Sequence, residues 1–385
     1  MSRKSKIVGS IIGAFILIGI IAFYVTDHKT YGKMQYNLEV IIPDTGNMAY
    51  LGDPVKNALI MAQEELKDEL SQKNISLNLI FGDSQGNPKT AVTIYNQNKS
   101  LKKIHGVFSY MSGPTLAIKP LAQQDNILMI AATVDPSITF DSKNLIRPYY
   151  SFGSEGTSVL KVVEEKKPKK VAVIYSTDPA TAYEVEKIVI PGINKIGIPC
   201  EVQSYKVGER DFRNQVVIVK LSKPEMILTY GFGSDLPFLI NTLREQKAFD
   251  GIFVTGPIGI ADALPSQTTK PFAGMYYFGP AFLLEEFEKG REDYRAFKAK
   301  YIQKYGADKF TLSAVYAYDS LRMLAQSIMS TNTTDASILF KEIIAKHNKG
   351  LAGEYSFDNL GNSNPSVGFA YIDKEGHIKL VREFK

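Results

Sequence analysis

Tryptophan is absent and cysteine occurs once, as Cys200, in a chain of 385 residues. A lone cysteine excludes a disulfide framework and every zinc or iron–sulfur centre built from several thiolates. An unpaired Cys200 reads as a small buried hydrophobe rather than a reactive thiol. Histidine is nearly as scarce. His28, His105, His347 and His377 are scattered without metal-ligand spacing, so neither a metal site nor a histidine general base is expected. No GxxxxGK[ST] phosphate loop occurs. The Gly231-Phe232-Gly233 turn lacks a third glycine, Leu236 standing in its place, so no dinucleotide cofactor is expected either. An excess of one charge is also missing. Lysine and arginine number 45 against 40 acids, and Arg3, Lys4, Lys6, Lys29 and Lys33 against Asp27 account for four of the five net positive charges. The near-neutral remainder removes the electrostatic basis for nucleic-acid binding.

What the chain does have begins with an uncharged run over 7–25 behind Arg3, Lys4 and Lys6. Nineteen residues of helix reach about 28 Å, close to the hydrocarbon thickness of a bilayer. The run ends in Ala22-Phe23-Tyr24-Val25 rather than in a small-x-small cleavage site. Residues 1–34 are therefore expected to form a cytoplasmic tip, an N-terminal transmembrane signal-anchor and a linker. The positive flank faces the cytoplasm and the body lies outside it. Were the run cleaved, the body would be free in the periplasm.

From residue 36 onward, short β-branched runs alternate with amphipathic segments, as in βαβ units wound about parallel sheets. Strands are expected at 37–42, 77–81, 106–110 and 127–131, with helices over 51–70, from 88, and over 114–124. After Pro148 the pattern restarts with strands at 171–175, 201–205, 226–230 and 252–255 and helices at 184–196, 212–221 and 236–246. Three consecutive helices, 285–305, 312–329 and 335–347, then precede two short strands at 367–372 and 378–381. The expectation is an α/β protein of two doubly wound parallel-sheet lobes. In such sheets ligands bind beyond the carboxyl ends of strands. The turns found there are small and polar: Asp44-Thr45-Gly46, Ser112-Gly113-Pro114 and Ala132-Thr133. Helix N-termini at such turns offer N–H groups to an anion, and the hydroxyls of Thr45, Ser112 and Thr133 would complete that site.

Nine segments, PDTGNMAYLG (43–52), FGDSQGNPKTAV (81–92), YMSGPTLAIKPLA (110–122), ILMIAAT (127–133), KKVAVIYSTD (169–178), ERDFRNQV (209–216), FKAKYIQKYG (297–306), YAYDSLRMLA (316–325) and GEYSFDNLGN (353–362), occur in family order. With them the chain resembles the extracytoplasmic solute-binding proteins of ABC transporters, specifically the branched-chain amino acid (Leu/Ile/Val) binding family of the type I periplasmic-binding fold. The resemblance spans about 36–385. It implies discontinuous lobes joined by a three-strand hinge: lobe one from 36–150 plus 281–350, lobe two from 151–280 plus 351–385. It implies a ligand carboxylate held by Ser112 and the Gly113 amide, flanked by Ala132 and Thr133, with ring contacts from Tyr50 and Phe232. Two departures stand out. The acid that holds the α-ammonium in many relatives is replaced by Ile258, and the usual Tyr-Gly pair after Asp178 is missing, with Tyr183 one turn on as its substitute. Burying an ammonium without a counter-charge costs several kcal/mol, so a ligand without an amine is expected, unless Asp235 or Asp262 supplies a displaced carboxylate.

The function implied is capture of a small organic solute between two lobes and delivery to an ABC permease, with no covalent chemistry. A membrane-tethered sensor of the same fold, signalling to a membrane partner, is the alternative. An enzyme on a two-lobed scaffold, such as a glycosyltransferase, fits the missing nucleotide and metal motifs poorly.

Overall fold

Fully buried strands in a parallel sheet must be apolar on both faces, and the chain supplies such runs at Gly106–Tyr110 (β3) and Leu128–Ala132 (β4). The computed structural model describes residues 33–231, 235–248, 253–256, 270–280, 282, 285–363 and 365–384. The expected anchor at 7–25, together with Phe232, Ile258 and Asp262, lies outside the described residues. Among the described residues no helix is long and apolar enough to cross a membrane.

Strands β1 (Met34–Ile42), β2 (Ile75–Asp83), β3, β4 and β5 (Leu145–Ile146) form a five-stranded sheet in the order β2-β1-β3-β4-β5. All its pairs are parallel. A second sheet of seven strands follows the order β14-β13-β10-β9-β8-β6-β7. It is built from β6 (Val171–Ser176), β7 (Cys200–Tyr205), β8 (Met226–Tyr230), β9 (Phe253–Gly256) and β10 (Tyr276–Pro280), with β13 (Val367–Ile372) and β14 (Ile378–Phe384) added antiparallel at one edge. A separate small hairpin pairs β11 (Asn348–Gly350) with β12 (Gly353–Tyr355). Both parallel sheets reverse their winding beside the first strand of their set, between β1 and β3 and between β6 and β8. Those switch points are where a crevice opens.

The helices are α1 (Ala49–Gln72), α2 (Pro88–Leu101), α3 (Ser112–Gln124) and α4 (Phe152–Lys166), then α5, which starts as Pro179–Glu184, widens to a π-helical turn over Val185–Val189 and ends as Ile190–Ile196. They continue with α6 (Arg213–Ser222), α7 (Leu236–Glu245), α8 (Glu285–Lys289), α9 (Glu292–Tyr305), α10 (Leu312–Thr331) and α11 (Ala336–Ala345). The late helices return to the first sheet: α10 packs along α1, and α10 and α11 both reach β4. The Tyr301 hydroxyl donates to the carbonyl of Pro54 at 3.1 Å, and Lys309 pairs with Asp53 at 2.8 Å. Fifteen of the twenty residues of α10 are buried, Tyr316 and Asp319 among them. The Asp319 carboxylate accepts the amides of Leu351 and Ala352 and the Tyr355 hydroxyl, so the β11–β12 hairpin is fastened to this helix. The expected exchange of lobes at 350/351 thus falls inside a hairpin held by α10.

Candidate functional site

Ser112 opens α3 directly after β3, and the residue before it, Met111, adopts φ 74° and ψ 142°. No side chain caps that helix start, so its first amides face the crevice without a competing side-chain acceptor. The Ser112 and Thr133 hydroxyls are hydrogen-bonded to each other, joining the turns after β3 and β4. Both residues are buried.

Across from them stands the start of α5. The Asp178 carboxylate caps it, accepting the amides of Ala180 and Thr181, each at 3.1 Å, and the Ser176 hydroxyl at 2.9 Å. Helices α3 and α5 touch across the crevice. Between them lies a cavity of about 380 Å³, lined from the first-sheet side by Met48, Leu51, Met111, Ser112, Gly113, Ala132, Thr133 and Val134, and from the second by Asp178, Pro179, Ala180, Thr181, Val207 and Gly231. Gly86, Pro88, Tyr110, Pro114, Tyr149, Phe152, Leu312 and Ser313 complete it. The Tyr110 and Tyr149 hydroxyls converge on Ser313 Oγ at 2.7 and 2.8 Å, which fixes both rings. Gly231 is required by space: a Cβ there would lie 1.8 Å from the Tyr205 hydroxyl. The lining is mostly apolar, with the bonded Ser112 and Thr133 hydroxyls at one wall and Asp178 as its one acid among the described residues at the other.

Of the residues singled out in the sequence, the structure therefore brings Ser112, Gly113, Ala132 and Thr133 together. Thr45 stands outside the lining. It is exposed, and its amide and hydroxyl both bond to the Asp83 carboxylate, so it fixes the turn after β1 instead. Tyr50 is about half exposed and also outside, its neighbours Met48 and Leu51 facing inward in its stead. Tyr183 is half-buried and likewise absent from the wall; burial and the Asp135 charge raise its pKa. Asp235 is wholly buried, accepts the Gly208 amide at 3.0 Å and does not line the cavity. Sequence reasoning missed Asp178 to Thr181, which follow β6 just as Ser112 follows β3. The strand-end rule applied to the second sheet would have found them.

Other chemistry is spoken for. Gly82-Asp83-Ser84-Gln85-Gly86 has the spacing of a nucleophile elbow, but Ser84 is buried and its hydroxyl accepts the Gly86 amide. Among the described residues, Asp373, Glu375 and His377 in the β13–β14 turn could gather on a cation. Asp373 there already accepts two backbone amides and the Lys379 ammonium. Cys200 is half-buried, and burial pushes its thiol up to about 11.

Beneath the site lies Arg147, with no exposed surface. Its Nη1 donates to the carbonyls of Thr133, Tyr149 and Tyr150 at 3.1, 3.0 and 2.9 Å, its Nε to Asn362 Oδ1 at 2.7 Å and its Nη2 to the Ser363 carbonyl at 3.0 Å. It ties the segment leaving β5 to the segment that leads into β13.

Comparison with known proteins agrees with this geometry. The sequence model of the periplasmic binding protein family matches residues 37–374. A Leu/Ile/Val-binding protein homolog of Brucella melitensis biotype 1 is 26% identical over 367 residues, which cover 91% of this chain and 95% of that one. Among solved structures, a leucine-binding protein of Thermotoga maritima MSB8 superposes with a TM-score of 0.76 at 19% identity, covering 91% of this chain and 99% of the other. A solute-binding protein of an ABC transporter from Rhodopseudomonas palustris BisB5, in complex with 3,4-dihydroxybenzoic acid, gives 0.78 at 18%, covering 91% and 97%. At these identities the two structures speak for the fold.

Proposed function

Since the chain belongs to the periplasmic binding protein family, we propose that it captures a small carboxylic acid with an apolar body between two lobes outside the cytoplasmic membrane and delivers it to an ABC permease. The observation that carries this reading is a cavity shared by the strand ends of both sheets, mostly apolar, with paired hydroxyls and a helix N-terminus at one wall and Asp178 as the one acid among its described residues at the other. Its volume sits at the small end of the roughly 300–1,000 Å³ range of ligand pockets, which suits an amino acid or a single-ring acid. The carboxylate accepts from the first turn of α3 and from Ser112 and Thr133. Met48, Leu51, Met111, Phe152, Val207 and Leu312 cover the apolar body.

In this reading lobe one comprises 36–150 plus 281–350 and continues through the β11–β12 hairpin to about residue 362, and lobe two is the rest. The three crossings form the hinge, closure is driven by contacts made only with both walls in place, and the segment 7–25 holds the protein near its permease. No reaction is catalysed. A second reading, an α-amino acid ligand, is favoured by Asp178, whose carboxylate retains lone-pair capacity beyond its three donors for an ammonium.

The test is thermal unfolding of the full chain with leucine, with its 2-oxo analogue and with 3,4-dihydroxybenzoate. A solute at 100 times its Kd adds about 2.7 kcal/mol, a shift of a few degrees. Stabilisation by either acid without an amine and none by leucine is the expected result. Stabilisation by leucine alone establishes the second reading, and silence from all three sinks the capture of small acids.

A further inference from the structure

A guanidinium taken wholly out of water is costly unless its donors are satisfied and its charge answered. Arg147 meets the first condition nearly in full, Nε and both hydrogens of Nη1 being engaged and Nη2 holding one acceptor, and the second hardly at all. Its five hydrogen bonds all end on neutral oxygens, four of them backbone carbonyls and one the Asn362 amide. No carboxylate lies within ion-pair distance among the described residues. Asp135 and Asp358 act on it only from farther away. Asp135 in turn accepts the Ser137 amide and hydroxyl. Burial lowers the pKa of Arg147 to about 10, which still leaves it cationic at neutral pH.

The position of this charge gives it a use. One of its bonds is to the carbonyl of Thr133, whose hydroxyl is the partner of Ser112 Oγ. The guanidinium therefore stands one residue behind the hydroxyl pair, on the far side of the cavity wall, and polarises the Thr133–Val134 peptide that forms that wall. The α3 N-terminus directs its partial positive charge at the same spot.

We propose that Arg147 is a positioning residue that makes the cleft selective for an anionic solute head: its unanswered charge, sealed in the hinge behind Thr133, is compensated when an anion sits against Ser112 and Thr133. The same side chain links the segment leaving β5 to the segment carrying Asn362 and Ser363, so the charge that selects the solute is held by the element that bends on closure. This assignment rests on reading the cavity as a solute site. It goes beyond that reading by locating the source of charge selectivity in a residue that never touches the solute.

The test places an anion at the site without needing a solute. Ser112→Cys introduces a titratable thiol in the full chain, read by thiolate absorbance against pH, and Cys200, its thiol near 11, stays silent over the range that matters. The introduced thiol is expected to titrate below the ordinary value of about 8.5. Arg147→Gln in that background raises it by about one pH unit, while Arg147→Lys leaves it low. Asp178 faces the thiol from the opposite wall in every variant, so its influence cancels in the comparison. Should Arg147→Gln fail to fold, Asn362→Asp sets a carboxylate at the oxygen that Nε already contacts at 2.7 Å, neutralises the guanidinium in place and raises the thiol similarly. A thiol that titrates at one pH in all these backgrounds overturns the proposal. Because no solute enters the measurement, a failure of solute capture shows separately, as three silent compounds in the unfolding assay.

Discussion

Met111 carries the one backbone conformation in the site that its side chain does not suit. With φ 74° and ψ 142° it occupies a region used almost only by glycine, at a cost of about 1–3 kcal/mol. Its position, between β3 and the uncapped start of α3, explains why the strain is tolerated: the turn delivers Ser112 to Thr133 and lays the Met111 side chain on the cavity wall. Glycine normally destabilises relative to alanine, so the comparison of two truncations isolates the strain. Met111→Gly is expected to be more stable than Met111→Ala by about 1–2 kcal/mol in urea unfolding, with solute binding weakened alike in both. Alanine proving the more stable of the two would remove the strain argument. At this scale the sequence was only partly legible. Ser112 and Thr133 follow from the rule that strand-end turns carry ligands. The same rule nominates Thr45, which Asp83 takes for itself, through a contact 38 positions distant that no local pattern announces.

Elements were easier to read than their contacts. The expected strands at 106–110, 171–175, 226–230 and 367–372 coincide with β3, β6, β8 and β13 to within a residue, because each is a short, largely apolar run that the fold buries. Helix α4 is marked in the sequence only at its end, by the cations before Pro168, and its start is hidden for a physical reason. It opens Phe-Gly-Ser-Glu-Gly-Thr-Ser, a composition of poor helix formers, and is held by a Ser151 cap and by packing on α5. That packing is close: a Cβ on Gly156 would meet Glu184 Cγ at 3.4 Å and Ile188 at 3.0 Å, where α5 carries its π-helical turn. A second close approach bears on the site. Gly52, in the first turns of α1, abuts the carbonyl of Pro43, and a Cβ there would lie 1.9 Å from that oxygen. Helix α1 presents Leu51, with Met48 just before it, to the cavity. Gly→Ala inside a helix ordinarily gains up to about 1 kcal/mol. Gly52→Ala is expected to reverse that sign, losing about 1–3 kcal/mol of urea-unfolding free energy as α1 is pushed from Pro43, and to weaken solute binding. A stabilised variant would show that α1 has slack at its start.

On the scale of the whole molecule, each half buries an acid that no cation answers among the described residues. In the first, Glu39 of β1 has no exposed surface; Asn98 donates to its Oε1 at 3.0 Å and its Oε2 has no partner among the described residues. Burial raises its pKa to about 7, against the opposing Asn98 bond. In the second, Glu184 is raised well above the usual carboxylate range by burial, then by the charges of Glu155 and Asp178. A carboxyl whose folded pKa exceeds its unfolded value holds a proton that the unfolded chain has already released. Its contribution to stability is complete below the unfolded value near 4.5 and is lost as pH rises through the folded value. For Glu39 that window is pH 4.5 to about 7; for Glu184 it extends higher. His105 works in the opposite sense. Burial, then Lys103, lowers its pKa, so it subtracts stability only as pH falls below about 6.5. A difference between variants separates the two effects. Glu39→Gln keeps the acceptor for Asn98 and removes the titration. It is expected to match the parent near pH 4.5 and to exceed it by about 2–3 kcal/mol at pH 8, measured as urea unfolding free energies at both values. A constant gap between the two proteins from pH 4.5 to 8 would mean that water or a neighbouring group answers the Glu39 charge in the folded state, and the buried acid would then be no liability to the fold.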